Sequence, residues 1–197
     1  NLEILRILSE ASAVIAQGEV LQLTTANNLE TTMEQYMEVI QAKTAALFAA
    51  ACEVGPVIAG QDKETCTALA SFGNNLGIAF QIADDVLDYS AKREKLGKTI
   101  GDDFREGKMT APVLFSLENA NEDERAFWHR TIAERDQSEG DLQTALEIFA
   151  RHNALEQSIA LAKTYAEKAV QDLKIAPDTH LKSLMESLAL YTVTREF

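Results

Sequence analysis

Three observations predict an all-α fold for this chain. Helical apolar periodicity begins at once, with Leu2, Leu5 and Leu8 on one face. Strand-type alternation and Asn-Gly hairpin signals are nearly lacking. Only three prolines, Pro56, Pro112 and Pro177, interrupt the 197 residues, and each marks a candidate boundary.

The elements follow in order. A first helix runs from about Leu2 to Thr24 and stops at a polar turn near Asn27 and Asn28. Thr31 or Thr32 caps a second helix, which runs to about Val54 and carries Glu34 early, where the helix dipole favours an acid. Asp62 caps a third, reaching about Tyr89. The charged stretch Ser90 to Met109 reads as a loop punctuated by Gly97, Gly101 and Gly107. Thr110-Ala111-Pro112 opens a helix through Leu117, with proline in the first turn, where its missing N–H costs nothing. Helices follow at roughly Glu122 to Glu134, Asp141 to Arg151, Ala154 to Leu173, and between Thr179 and Thr192.

The length suits one domain, 1–197, and no internal repeat or low-complexity tract divides it. A net charge of −13 argues against nucleic-acid partners, which need a basic surface. Two cysteines, Cys52 and Cys66, are too few for a disulfide framework and suit a reduced, cytoplasmic compartment. No apolar window is long enough for a transmembrane span, since Glu53, Gly55 and Pro56 break the stretch around Ala45 to Ala59. The chain opens on Asn1, directly into helical periodicity, as the interior of a longer protein would.

Chemistry concentrates in Gly77-Ile78-Ala79-Phe80-Gln81-Ile82-Ala83-Asp84-Asp85-Val86-Leu87-Asp88. At about 100° per residue, Gly77, Gln81, Asp84 and Asp88 share a narrow arc, while Ile78, Ile82 and Val86 fill other faces. Buried carboxylates repel one another and cost several kcal/mol each unless compensated. Aspartate oxygens suit a hard divalent cation. The metal reading requires the acidic trio to point into an apolar interior; the plainer reading, a solvated acidic face, stays open at this stage. The spacing lacks the alternation and terminal Glu of an EF-hand loop.

Two further segments belong with this one. The loop from Leu96 to Pro112 holds two Gly-Lys pairs, Gly97-Lys98 and Gly107-Lys108, which set backbone freedom beside positive charge as phosphate oxygens require. It is no P-loop, and a charged surface loop is the alternative. Lys43-Thr44 precedes the small-residue run Ala45-Ala46-Leu47-Phe48-Ala49, where a snorkelling lysine is the alternative. Met33, Met37, Phe48, Phe72 and Phe80 are candidates for an apolar cavity wall or simply for core.

Lys-Thr, then Phe-Gln-x-x-Asp-Asp-x-x-Asp, then Gly-Lys-x-x-Gly-x-Asp-x-x-x-Gly-Lys-x-Thr-x-Pro, in this order, resembles the C-terminal part of trans-polyprenyl diphosphate synthases. Gly18-Glu19-Val20-Leu21-Gln22-Leu23 looks like that family's mid-protein signature, especially in its long-chain octaprenyl and decaprenyl members. Ala111 departs from the Leu or Tyr usual before the proline, and the family's first aspartate-rich motif does not occur in these residues.

The resemblance implies an isoprenoid synthase-type helical bundle and a prenyltransferase. Such an enzyme condenses an allylic diphosphate with isopentenyl diphosphate in a magnesium-dependent reaction, and is usually a homodimer. By resemblance Asp84, Asp85 and Asp88 hold Mg2+, with Asp84 the foremost ligand. Lys43, Lys98 and Lys108 pair with diphosphate oxygens. Thr44 and Gln81 lie near the reacting carbons, Phe80 helps to bind the substrate, and Asp103 stands behind Lys98 or Lys108. The resemblance also implies that these 197 residues alone would not turn over. A non-catalytic synthase subunit, a terpene cyclase and a helical interaction protein are the competing readings. The intact aspartates count against the first, and the missing Asn-Ser/Thr-Glu metal motif against the second.

Overall fold

The computed structural model describes residues 1–90 and 100–194, and those residues form helices and turns with no strand. Helix α1 spans Leu2–Thr25. Helix α2, Met33–Ile40, passes through a π-helical turn, Gln41–Ala45, into α3, Ala46–Ile58. Helix α4 spans Lys63–Leu87 and the short α5 spans Asp102–Arg105. They are followed by α6 (Ala111–Glu118), α7 (Glu122–Trp128), α8 (Asp141–His152), α9 (Ala154–Asp172) and α10 (His180–Thr194).

Local chemistry explains the starts. Thr32 and Gln35 form a reciprocal capping box at α2: the Gln35 N–H donates to Thr32 Oγ1 at 3.2 Å, and the Thr32 N–H to Gln35 Oε1 at 2.9 Å. Asp62 caps α4 by accepting from the Thr65 N–H at 2.8 Å. Pro112 occupies the first turn of α6.

Three expectations need correction. The second helix does not stop near Val54 but runs through Pro56 to Ile58, so the proline is carried inside its last turn and does not end it. It is also not one uniform helix, since the π-helical turn widens it at Gln41–Ala45. The stretch Ser90 to Met109 is not all loop: Asp102 and Asp103 open α5, where acids complement the dipole.

The chain forms two compact units. The first comprises Asn1–Leu21, Met37–Gln81 and the described residues from Leu161 on. Phe72 and Leu76 of α4 pack there against Ala169 of α9, Leu173 and Ala189 of α10, with Phe48 and Cys52 alongside. Burying a side chain such as Phe72 contributes about 1.5–3 kcal/mol. Ile7 and Ala11 of α1 meet Ala50 of α3 in a second cluster. Gly73 and Gly77 bring α4 backbone to backbone with the π-helical turn and α3: a Cβ on Gly77 would lie 2.6 Å from the Ala45 Cα, and one on Gly73 would strike the Phe48 carbonyl.

The second unit comprises Gln22–Tyr36 and Ile82–Ala160. Its core is aromatic. Trp128 is fully buried, edge-on to Phe104 at 6.3 Å and stacked on Phe149 at 5.6 Å, and Phe149 meets Tyr89 edge-on at 4.9 Å. Two buried acids brace its helices. Glu124 accepts from the Asn121 N–H at 3.0 Å and from Arg151, and pairs with His152 Nε2 at 2.9 Å, tying the start of α7 to the end of α8. Asp141 takes a two-pronged bond from Arg130 at 2.7 and 2.9 Å.

Candidate active site

The acidic end of α4 belongs to the second unit. Asp85 and Asp88 are buried, 4% and 1% exposed, whereas Asp84 is exposed. The trio therefore does not point jointly into an apolar interior. Ile82, Ala83 and Val86 are buried around it, so Asp84 is the one exposed residue between Ile82 and Asp88. A uniformly solvated acidic face is equally excluded by Asp85 and Asp88.

Each buried carboxylate is held by a donor from another segment. Tyr36, in the first turn of α2, donates its phenolic O–H to Asp85 Oδ2 at 2.6 Å. Burial first, and then the charges of Asp85 and Asp103, push the Tyr36 phenol above its ordinary value, so it remains a donor. The Asp103 N–H donates to Asp88 Oδ2 at 3.0 Å, and the Gly101 N–H donates to the Asp88 carbonyl at 2.9 Å. Gly101, which precedes α5, has no side chain to cap it, so Asp88 supplies the capping oxygen from 15 residues away.

Lys108 bonds to Asp103 Oδ1 at 2.9 Å and to Glu106 Oε2 at 2.7 Å. Partial burial opposes its charge, but these two carboxylates outweigh burial and raise its pKa. Asp103 thus joins Lys108 through its side chain to Asp88 through its backbone, and any anion bound at Lys108 would share the ammonium with two acids. Lys98 lies outside the described residues.

The remaining candidates belong to the first unit. Lys43 and Thr44 sit on the π-helical turn, a distortion common where side chains are re-aimed for function. Lys43 pairs with Glu19 of α1 at 3.2 Å, and a Cβ on neighbouring Gly18 would fall 2.6 Å from the Lys43 backbone nitrogen, so only glycine permits this approach. Thr44 donates its hydroxyl to Gln81 Oε1 at 2.7 Å, which leaves the Thr44 oxygen lone pairs as acceptors. Phe80 packs on Phe48 with centroids 5.5 Å apart. Of the other apolar candidates, Phe72 is core, while Met33 lines a pocket of about 420 Å³ with Leu29, Leu114 and Leu117 in the second unit.

Among the described residues no three His, Cys, Asp or Glu side chains converge into a ready-made metal cage. The donor set still fits a hard cation, because it offers aspartate oxygens, one exposed and two oriented by hydrogen bonds. Sequence reasoning missed Tyr36 and Glu19. The tyrosine-to-lysine spacing of seven residues, two helical turns, was the available clue for Tyr36. Glu19 lay inside a quoted signature without being given a role.

Comparisons with known proteins bear on this arrangement. Residues 1–149 match the family model described as polyprenyl synthetase. The chain is 39% identical to the octaprenyl diphosphate synthase of Haemophilus influenzae over 197 residues, covering all of this chain and 60% of that protein. Crystal structures of a decaprenyl diphosphate synthase from Rhodobacter capsulatus and a polyprenyl synthase from Caulobacter crescentus superpose with TM-scores of 0.93 and 0.95, at 48% and 46% identity. They cover 99% and 100% of this chain, which in turn spans 60% of each. The chain thus spans about three fifths of the length of the relatives it matches. The chain belongs to the polyprenyl synthetase family.

Proposed function

We propose that the protein containing this chain is a polyprenyl diphosphate synthase, which lengthens allylic diphosphates by successive additions of isopentenyl diphosphate. One observation carries the reading. At the end of α4, in a chain matched along its whole length by octaprenyl and decaprenyl synthases, two buried carboxylates are fixed beside an exposed third. The Caulobacter crescentus relative was crystallised with calcium and isoprenyl diphosphate, which supports a divalent cation and a diphosphate as the ligands here.

In this reading the C–O bond of the allylic diphosphate breaks, and the electron pair leaves with the diphosphate. The isopentenyl double bond attacks the carbocation, and loss of a proton restores a double bond in a product five carbons longer. Lys43, Lys98 and Lys108 hold the diphosphate oxygens and oppose their charge. Asp84, Asp85 and Asp88 would hold magnesium, whose charge would offset that of the leaving group. Gln81, fixed by the Thr44 hydroxyl, and the Thr44 lone pairs face the developing cation with oxygen rather than with a reactive nucleophile. Phe80 supplies an apolar wall that excludes water.

We further read the protein as a cytoplasmic homodimer without a nucleic-acid partner. Its two cysteines are free, and no described helix is long and apolar enough to cross a membrane. Helix α1 exposes Leu2, Leu5, Val20 and Leu23, the kind of surface a second subunit covers. The test is elongation of farnesyl diphosphate with labelled isopentenyl diphosphate by the complete natural polypeptide. Magnesium-dependent formation of longer prenyl chains is expected, and absence of any extended product would overturn the proposal.

A further inference from the structure

Tyr36 is a buried polar group bonded directly to the acidic motif. It is 3% exposed and meets Asp85 across 49 residues of sequence, so the contact is tertiary and owes nothing to local structure. Its length of 2.6 Å lies in the range of an O–H donor bonded to an ionised carboxylate. The base from which it acts is braced twice. The Thr32–Gln35 box caps the helix that carries it, and Thr31 Oγ1 donates to the Thr25 carbonyl at 3.1 Å, tying that start to the end of α1. A tyrosine has few rotatable bonds, so a phenol on such a base is a stiff arm.

The carboxylate it grips is the middle one of the motif. Asp84 stands in water, and Asp88 is committed to the start of α5. Asp85 is buried, and a carboxylate rotates about two side-chain bonds unless something stops it. The Tyr36 hydroxyl restrains that rotation by engaging one oxygen. We propose that Tyr36 is a positioning residue, acting through Asp85 to fix the carboxylate orientation from which it serves a divalent cation and its diphosphate. This rests on the proposed function of the α4 end. In this role Tyr36 acts through Asp85, and losing a partner that orients a metal-ligating side chain typically weakens metal affinity by roughly ten- to a hundredfold.

A purely structural tyrosine would stabilise the fold and leave ligand affinity alone. The experiment therefore reads affinity on folded protein. Manganese binding in the presence of inorganic diphosphate is followed by electron paramagnetic resonance on the complete natural polypeptide, at a temperature where circular dichroism shows every variant folded. The proteins are wild type, Tyr36→Phe, Asp85→Asn and the double variant. Tyr36→Phe is expected to weaken manganese binding by roughly ten- to a hundredfold, and to weaken it no further when Asp85 is already Asn.

Equal affinity in wild type and Tyr36→Phe would overturn the inference while leaving the enzyme reading intact. An undiminished effect of Tyr36→Phe in the Asp85→Asn background would also overturn it, because the tyrosine would then act elsewhere. Wild-type affinity in Asp85→Asn would overturn it even if Tyr36→Phe failed to fold. Failure of wild type itself to bind manganese with diphosphate would sink the functional reading, and this inference with it.

Discussion

Glu124 and Asp88 are buried carboxylates of the same unit, held in opposite ways. Glu124 is the centre of a closed knot: a peptide N–H from its own helix start, Arg151 and His152 all converge on it. Asp88 instead reaches outward, past the end of α4, to cap α5 at Asp103, whose own side chain engages Lys108. One turn before Asp88, Asp84 stands in water. Burial of an acid is thus no mark of chemistry by itself. What distinguishes the α4 end is a buried, oriented pair beside an exposed partner and a lysine, whereas the Glu124 knot has every partner it needs to be a structural clamp.

The comparison makes separable predictions. Asp84→Asn in the complete polypeptide should reduce elongation about a hundredfold or more, the scale on which one preorganised electrostatic group acts. Its melting temperature should hardly change, because the residue is exposed. Full activity in that variant would break the comparison at its functional end. Glu124→Ala should do the reverse. Loss of the carboxylate's bonds from the Asn121 N–H, Arg151 and His152 should cost about 2 kcal/mol in urea unfolding, with manganese–diphosphate affinity unchanged. Weakened affinity at unchanged stability would move the Glu124 knot into the site.

The smallest effect concerns pH. The Arg130 guanidinium beside Asp141 holds that carboxyl well below the usual aspartate value of 3.8. A depressed folded value means the stabilisation is complete above the ordinary value and drains away as pH falls toward the folded one. Melting temperature should therefore fall between about pH 4 and pH 2, and Asp141→Asn should flatten that part of the curve. Because Arg130 is partly in water, the slope is shallow. An unchanged slope in Asp141→Asn would assign the acid sensitivity to other carboxylates.

Much of the fold was legible because its signals are local. Asp62 announces α4, Thr31 or Thr32 announces α2, and Pro112 announces α6, each through a bond or a missing donor within one turn. The π-helical turn at Gln41–Ala45 was not legible, since it answers to close packing on Gly18 and Gly77 from other helices. The site divides likewise. The acidic residues and lysines were named from their order along the chain. Their burial was misjudged at Asp84, and Tyr36 and Glu19 were passed over, because partners 49 and 24 residues apart share no periodicity.

The seam formed by Gly73 and Gly77 has a practical consequence. Where peptide groups meet directly, no intervening side chain can be trimmed or swapped to alter the gap. The Thr44–Gln81 bond sits on that seam, so its span is dictated by main-chain geometry. Substitutions that would widen or narrow this gap will find that stretch unyielding, and accommodating changes will accumulate elsewhere.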